Sequence, residues 1–135
     1  FDDHFMVPHS RHMTVLREDI VKHPELKILA SSKQAGVFAI STDGGRQVFI
    51  TGHSEYDPLT LEREYLRDKN EGKPIHVPEN YYPNDDDSQY PIVSWRSTAN
   101  LFFANWINYI VYQTTPYDLN ELEIVKEFKD KPKKG

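Results

Sequence analysis

The residues best suited to chemistry lie in the segment 51–57, Thr-Gly-His-Ser-Glu-Tyr-Asp. His53 and Glu55 are two residues apart, so an extended backbone would point both side chains to one side. A carboxylate beside an imidazole can fix its tautomer and stabilise its charged form. Such a pair can serve as the general base of a nucleophilic triad and its orienting group. The spacing alone is a weak signal, because a His-x-Glu sequence after a strand is more often a solvated loop.

A triad also needs a nucleophile, and cysteine would suit this pair best. The sequence contains no cysteine. Ser10, Ser54 and Ser94 are available, but none of them lies in a G-x-S-x-G elbow. The residues themselves therefore indicate half of an active site.

Metal chemistry has weaker support. His4, His9 and His12 lie close together beside two aspartates and could be metal ligands. The separation of His9 and His12 would suit a helix, but nothing marks that stretch as helical. The acidic run 85–87 lacks the alternating oxygens and terminal glutamate of a calcium loop. We therefore predict no metal site and no resident cofactor.

The composition is that of a globular chain, with 135 residues of which 38% are hydrophobic and 27% are charged. The net charge of -5 argues against nucleic acid or an anionic membrane as the main partner. The longest apolar run is interrupted by Asn105 and Asn108, which argues against a membrane span. The absence of cysteine fits a cytoplasmic protein. The Lys- and Glu-rich end, 123–135, is predicted to be a solvated tail.

The elements that must position the pair can be predicted from local patterns. Three strands are predicted, over 26–31, 37–41 and 47–51. The turn sequence Asp43-Gly44-Gly45 predicts a hairpin between the last two. The continuous apolar run 48–50 predicts a strand buried on both faces, and a further short strand is predicted over 5–10. His53 would then follow the C-terminal end of a strand, where open α/β sheets bind their ligands.

Three helices are predicted, over 17–23, 58–72 and 95–114. Pro58 and Gly72 suit the first turn and the end of the second helix, and Ser94 suits the N-cap of the third. The third helix is apolar nearly all round, which predicts burial against a sheet. Residues 73–93 are predicted to form a long irregular loop. Strands interleaved with helices indicate the α/β class, with a mixed sheet and flanking helices.

The segment around His53 resembles the His-x-Glu portion of the Cys-His-Glu triad in class I glutamine amidotransferase-like domains. The fuller resemblance is to the homoserine O-acyltransferases of that superfamily, the homoserine O-acetyl- and O-succinyltransferases. Short matching segments recur in order over residues 1 to about 120. Besides 52–57 they include Phe1-Asp2-Asp3, Pro8-His9-Ser10-Arg11, Arg67-Asp68, Val77-Pro78, Ser94-Trp95-Arg96-Ser97 and Pro116-Tyr117-Asp118-Leu119. Each segment is weak alone, and together they are highly specific.

This resemblance implies the C-terminal part of a flavodoxin-like, class I glutamine amidotransferase-like domain. Residues 1–122 would form the C-terminal half of the acyltransferase domain, followed by the tail 123–135. The nucleophilic cysteine would lie on an elbow in the N-terminal half, outside this sequence. We therefore expect the isolated chain to be inactive, to need that half as its partner, and to expose apolar surface where that half would pack, including part of the helix 95–114. A homodimer is also expected to be possible.

The resemblance also implies a ping-pong mechanism. The cysteine would take an acetyl or succinyl group from the corresponding acyl-CoA, and the hydroxyl of L-homoserine would then attack the thioester. His53 would be the general base, and Glu55 would orient it. The family usually has proline between these two residues, and Ser54 at that position is expected to face away from the pair.

Two further residues match the substrate site of the family. Arg67 matches an arginine that binds homoserine, and a guanidinium can hold an α-carboxylate through two hydrogen bonds. Ser10 matches a serine at the substrate pocket. Taken alone, Arg67 would be a surface arginine and Ser10 a turn residue.

The choice of acyl donor and of reaction class stays open at this level. Acetyl-CoA is favoured over succinyl-CoA. A glutamine amidotransferase-like hydrolase is the alternative enzyme, because it shares the Cys-His-Glu chemistry. A non-catalytic fragment is the alternative outside enzymes, since the chain lacks the nucleophile.

Overall fold

The computed structural model describes residues 2–115, and its centre is a three-stranded antiparallel sheet. The strands are β1 (Leu26–Ser32), β2 (Gly36–Thr42) and β3 (Val48–Ile50), in the order β1-β2-β3. Ile40 in β2 pairs with Ile28 on one side and with Phe49 on the other. Five consecutive residues of the central strand β2 are buried, because Ile20 packs on Val37 and Ile40 and the rings of Phe5 and Phe102 contact Phe38. All three strands predicted over 26–51 are thus confirmed.

The hairpin between β2 and β3 is also confirmed. Its connection is a short 3₁₀ turn, Asp43–Gly45, in which Gly44 and Gly45 have φ angles of 76° and 71°. Side chains with a Cβ rarely adopt this region, so the two glycines make the turn possible. The indole nitrogen of Trp106 donates to the Gly45 carbonyl at 3.1 Å, which ties the helix Arg96–Trp106 to the hairpin.

Helices flank this sheet, and the α/β class is confirmed. They are α1 (Arg17–Ile20), α2 (Thr60–Asn70), α3 (Arg96–Trp106), a π-helical segment (Ile107–Val111) and α4 (Tyr112–Thr114). The second helix lies inside its predicted range, and Gly72 after it has a φ of 72°. Within residues 2–115 the sheet is antiparallel throughout, and no helix there is long and apolar enough to cross a membrane.

The core is divided into two clusters. One contains Ile20, Val37 and Ile40, between α1 and the sheet. The other, here called the aromatic cluster, consists of Leu61, Tyr81, Tyr82 and Trp95. Its two tyrosines come from the irregular loop 73–93, which has only a 3₁₀ turn, Pro83–Asp85. The loop prediction is therefore confirmed, yet this loop supplies two of the four buried residues of the aromatic cluster.

Several local predictions are wrong. Residues 5–10 form no strand. β3 is only partly buried, with Phe49 half-exposed, because it pairs with β2 alone among the described residues. Ser94 is not the N-cap of α3, since Trp95 holds that position and no side chain caps the helix. The tail predicted over 123–135 lies outside the described residues.

Within residues 2–115 the predicted burial of the long C-terminal helix against a sheet is wrong, whereas the exposure of part of it expected for the isolated chain is seen. Only Ala99 is buried along α3, and the π-helical segment has no buried residue. The exposed large apolar side chains of this region are Leu101, Phe103, Ile107, Tyr109 and Tyr112. An apolar sequence favours burial, but burial requires a facing surface.

Candidate active site

His53 and Glu55 lie in a turn that begins at His53, three residues after the end of β3. The Thr51 amide still donates to the Phe38 carbonyl at 2.9 Å, and the Tyr56 amide then donates back to the His53 carbonyl at 3.3 Å. The expectation of an extended backbone here is therefore wrong. The turn, rather than the two-residue period of a strand, brings the histidine and glutamate side chains together.

The two side chains form a direct contact. Nδ1 of His53 lies 2.9 Å from Oε1 of Glu55. In the neutral ring with its proton on Nδ1, this nitrogen donates to the carboxylate and Nε2 becomes the acceptor. The His53 side chain is 34% exposed and that of Glu55 is 64% exposed. Nε2 is thus the basic atom of an imidazole that a carboxylate orients and that a substrate could approach.

The electrostatics of Glu55 agree with this contact. Burial raises the pKa of the Glu55 carboxyl, but the hydrogen bond from His53 and the histidine charge lower it, and the net pKa lies below the ordinary value. The carboxylate form is therefore favoured beside the imidazole, as an orienting group requires.

The backbone of the turn is held from the N-terminal side. The His53 amide donates to the Pro8 carbonyl at 2.8 Å. Gly52 is buried, and a Cβ there would come within 2.8 Å of Val7 Cγ1 and 2.9 Å of His9 Cε1. Glycine is needed because the segment 7–9 packs directly on the backbone of the turn. Ser54 is buried while Glu55 beside it is exposed.

Tyr56 connects the pair to two further groups. Its ring stacks on the His53 ring, with centroids 4.3 Å apart and an angle of 15° between the planes. Its hydroxyl donates to the Glu64 carboxylate, 3.0 Å from each oxygen, and Ser10 near this hydroxyl acts to lower the Tyr56 pKa. Burial, together with the Glu64 carboxylate, raises the pKa of Tyr56 to about 12. Tyr56 is therefore a neutral phenol between His53, Ser10 and Glu64.

Arg67 lies one turn beyond Glu64 on α2. Its Nε donates to Asp68 Oδ1 at 2.8 Å, and its side chain is 56% exposed. Lys73 also donates to Asp68 Oδ1 at 2.8 Å, and hydrogen bonds from Arg67 and Lys73 hold the pKa of Asp68 well below the ordinary range. Within residues 2–115 the terminal nitrogens of Arg67 donate no hydrogen bond. They are therefore available to a carboxylate ligand.

Known proteins can now be compared with this arrangement. Residues 1–117 match the family model described as homoserine O-succinyltransferase. The chain belongs to this family.

Curated relatives carry a related name. A homoserine O-acetyltransferase of Desulfitobacterium hafniense (strain DSM 10664 / DCB-2) is 62% identical over 122 residues, which are 90% of this chain and 40% of that protein. The homoserine O-acetyltransferase of Brevibacillus brevis is 62% identical over 120 residues, which are 89% of this chain and 39% of that protein. The homoserine O-acetyltransferase of Bacteroides thetaiotaomicron is 58% identical over 123 residues, which are 91% of this chain and 40% of that protein. The chain thus spans about 40% of the length of these relatives.

The three-stranded sheet with its helices is consistent with a partial domain of this homoserine acyltransferase family. Of the four site residues predicted from sequence, the structure brings Ser10, His53 and Glu55 together around Tyr56. Arg67 lies farther along α2 and is connected to them through Glu64, whose charge acts on both Tyr56 and Arg67.

Tyr56 and Glu64 were not predicted as site residues. A sequence signal existed for each. Tyr56 is part of the segment 51–57, and Glu64 precedes Arg67 by three residues, which places them on one face of a helix. Neither signal says that the two side chains meet, because the contact joins a turn to a helix.

The histidines near the N-terminus do not form a cluster. His9 is partly buried beside Gly52, and burial, Arg11 and His53 lower its pKa. His12 instead lies 3.9 Å from Asp68. Within the described residues, no group of three or more His, Cys, Asp or Glu side chains is placed to hold a metal ion.

An open groove of about 870 Å³ lies beside the pair rather than over it. Its walls include His9 from the N-terminal segment, Phe38 from the sheet, and Tyr81 and Trp95 from the aromatic cluster. His53, Glu55, Ser10 and Arg67 do not line it. The pair remains the candidate for acid–base chemistry, because a general base needs an oriented imidazole and the contact between His53 and Glu55 supplies one.

Proposed function

We propose that this chain carries the general base, its orienting carboxylate and the substrate contacts of a homoserine O-acyltransferase of methionine biosynthesis. The observation that carries the proposal is the 2.9 Å contact between His53 Nδ1 and Glu55 Oε1, within a chain that belongs to this family. This contact leaves Nε2 to accept a proton. A base in this state suits both halves of a ping-pong reaction.

In the first half of the proposed reaction, a cysteine outside this sequence is the nucleophile. His53 Nε2 takes the thiol proton, and the thiolate attacks the thioester carbonyl of the acyl-CoA. A tetrahedral intermediate forms and collapses with cleavage of the bond to the CoA sulfur. The proton on His53 passes to the leaving thiolate, so free CoA and an acyl-cysteine remain.

In the second half, L-homoserine enters the site. The Arg67 guanidinium binds its α-carboxylate, and Ser10 contacts the substrate or the acyl group. His53 Nε2 takes the proton of the homoserine hydroxyl, whose oxygen attacks the acyl-cysteine. Cleavage of the carbon–sulfur bond releases O-acylhomoserine, and the proton returns to the cysteine sulfur.

The donor and the setting are parts of the same proposal. We favour acetyl-CoA over succinyl-CoA, in agreement with the relatives named homoserine O-acetyltransferase. No resident cofactor is required, since acyl-CoA is a co-substrate. The proposed location is the cytoplasm, where acyl-CoA would be used for biosynthesis, and a homodimer is the proposed assembly.

The test uses a full-length protein that contains this chain. Release of free CoA is followed with homoserine and either acetyl-CoA or succinyl-CoA, and the acylated product is identified by mass. We expect CoA release that depends on homoserine, faster with acetyl-CoA. Glutamine hydrolysis without homoserine acylation would instead support the amidotransferase-like alternative.

A second assay tests the division of the site between two parts of the protein. The 135-residue chain is incubated alone with homoserine and acyl-CoA. We expect no product, because the chain contains no cysteine. Homoserine-dependent turnover by these residues alone would contradict the proposed cysteine mechanism.

A further inference from the structure

Tyr56 contacts the proposed base without having a role in the reaction described above. One hydrogen bond from Nδ1 to Glu55 fixes one point of the His53 ring. The imidazole could still pivot about that contact, and the position of Nε2 would change most. The nearly parallel Tyr56 ring, 4.3 Å away, lies across this pivot. Aromatic stacking at this separation stabilises one orientation of the imidazole plane.

Tyr56 is itself held at both ends. Its backbone carbonyl accepts a hydrogen bond from the Trp95 indole nitrogen at 3.0 Å, which ties it to the aromatic cluster. Its hydroxyl donates to the Glu64 carboxylate on α2 at 3.0 Å. A ring that is fixed at both ends can restrict a neighbouring ring, whereas a loose surface tyrosine could not.

We propose that Tyr56 is a positioning residue for His53, which it holds by ring stacking so that Nε2 faces the reacting proton. This role rests on the proposed function of His53 as the general base. The ring supplies the positioning, and the hydroxyl contact with Glu64 keeps the ring in place. Removing the ring must therefore affect turnover more than removing the hydroxyl group.

The kinetic test compares Tyr56→Leu with Tyr56→Phe in the full-length protein. The leucine variant loses the stacked ring, and we expect kcat to fall roughly 100-fold because the base is misplaced. The phenylalanine variant keeps the ring and loses only hydrogen bonds, so we expect kcat to stay within about tenfold of the starting value. Equal losses in the two variants would overturn the proposal.

Tyr65 provides matched controls. It is a buried tyrosine on α2 whose hydroxyl donates to Asp87 at 2.7 Å. Tyr65→Leu and Tyr65→Phe therefore make the same chemical changes away from the His53 ring. We expect both controls to retain kcat. A Tyr65→Leu loss as large as that of Tyr56→Leu would show a general packing effect and would overturn the positioning role.

A spectroscopic readout is independent of activity. A ring stacked on His53 shifts the imidazole protons upfield in the NMR spectrum, and exposed His23 serves as the internal reference. We expect the shift in the unmodified protein and in Tyr56→Phe, and its loss in Tyr56→Leu. If Tyr56→Leu does not fold, the unmodified protein still decides, since an unshifted His53 would overturn the proposal. An unmodified protein that shows the shift but acylates no homoserine would instead refute the proposed function.

Discussion

The chain contains two His-x-Glu pairs with identical spacing and different surroundings. His23 and Glu25 lie between α1 and β1, with Nδ1 and Oε1 3.4 Å apart and side chains that are 61% and 62% exposed. His53 and Glu55 follow β3. Their Nδ1 and Oε1 atoms are 2.9 Å apart, and the histidine side chain is only 34% exposed. The first pair has Pro24 between its members, and the second has Ser54.

The difference shows that packing, rather than the spacing of the motif, makes a pair into a candidate base. The backbone amides of both histidines donate hydrogen bonds, but only the His53 side chain also stacks on an aromatic ring, that of Tyr56. The His23 side chain is held by its glutamate contact alone among the described residues. An exposed ion pair of that kind contributes little, because solvent screens it and its side chains remain mobile.

The strongest test of this comparison removes each histidine in the full-length protein. We expect His53→Ala to lower kcat for homoserine acylation roughly 10³-fold, the range of general-base catalysis. We expect His23→Ala to leave kcat unchanged. Steady-state CoA release measures both, with circular dichroism to show that both variants fold. If His53→Ala kept the same kcat as His23→Ala and as the unmodified protein, His53 would not be the general base.

Replacing Arg67 tests whether the site around His53 includes substrate contacts. We expect Arg67→Ala to raise KM for homoserine roughly 30-fold, since a hydrogen-bonded charge contact typically contributes 1.5–3 kcal/mol. kcat should change little if the contact is the same in the ground and transition states. Arg63→Ala, at an exposed arginine on the same helix, is the control. Unchanged KM and kcat in Arg67→Ala would exclude Arg67 from the site.

The two glutamates are compared in the same way. We expect Glu55→Gln to lower kcat about tenfold, the lower end for a hydrogen bond to a charged group, because Glu55 is largely exposed. Glu25→Gln should leave kcat unchanged. A larger effect of Glu25→Gln than of Glu55→Gln would reverse the assignment of the two pairs.

The smallest expected effect is a change in the pKa of the Glu55 carboxyl, followed by acid titration. Its folded-state pKa is lowered from 4.5, so the His53 contact stabilises the fold above about pH 4.5 and this contribution is lost as the pH falls through the lowered pKa. NMR titration of the Glu55 carboxyl should give a midpoint below 4.5. We expect that midpoint to rise in His53→Ala and to stay unchanged in His23→Ala. An unchanged midpoint in both would mean that the contact is not formed in solution.

Much of the fold and part of the site could be predicted from sequence. The strands, the β2–β3 hairpin and α2 follow from local signals: short runs of apolar residues, two glycines able to adopt positive φ, and Pro58 and Gly72 near the ends of the helix. His53 and Glu55 were identifiable from residue chemistry and family resemblance. Their direct contact was also expected, although the turn that creates it was not.

Burial, in contrast, was decided by tertiary structure. No aromatic residue of α3 or the π-helical segment is buried among the described residues, whereas Tyr81 and Tyr82 in an irregular loop are buried against Trp95. Hydrophobicity is a property of one residue, but burial is a property of two facing surfaces. A sequence pattern describes only one of those surfaces.

The same reason applies to the candidate site. The residue types and order determined that an imidazole and a carboxylate could meet, and that an arginine was available on the next helix. Only the folded chain placed Tyr56 over His53 and its hydroxyl against Glu64. These contacts join a turn to a helix, and their geometry depends on how α2 packs through Leu61 into the aromatic cluster. No local periodicity encodes that packing, because it is set by side chains that are distant in the sequence.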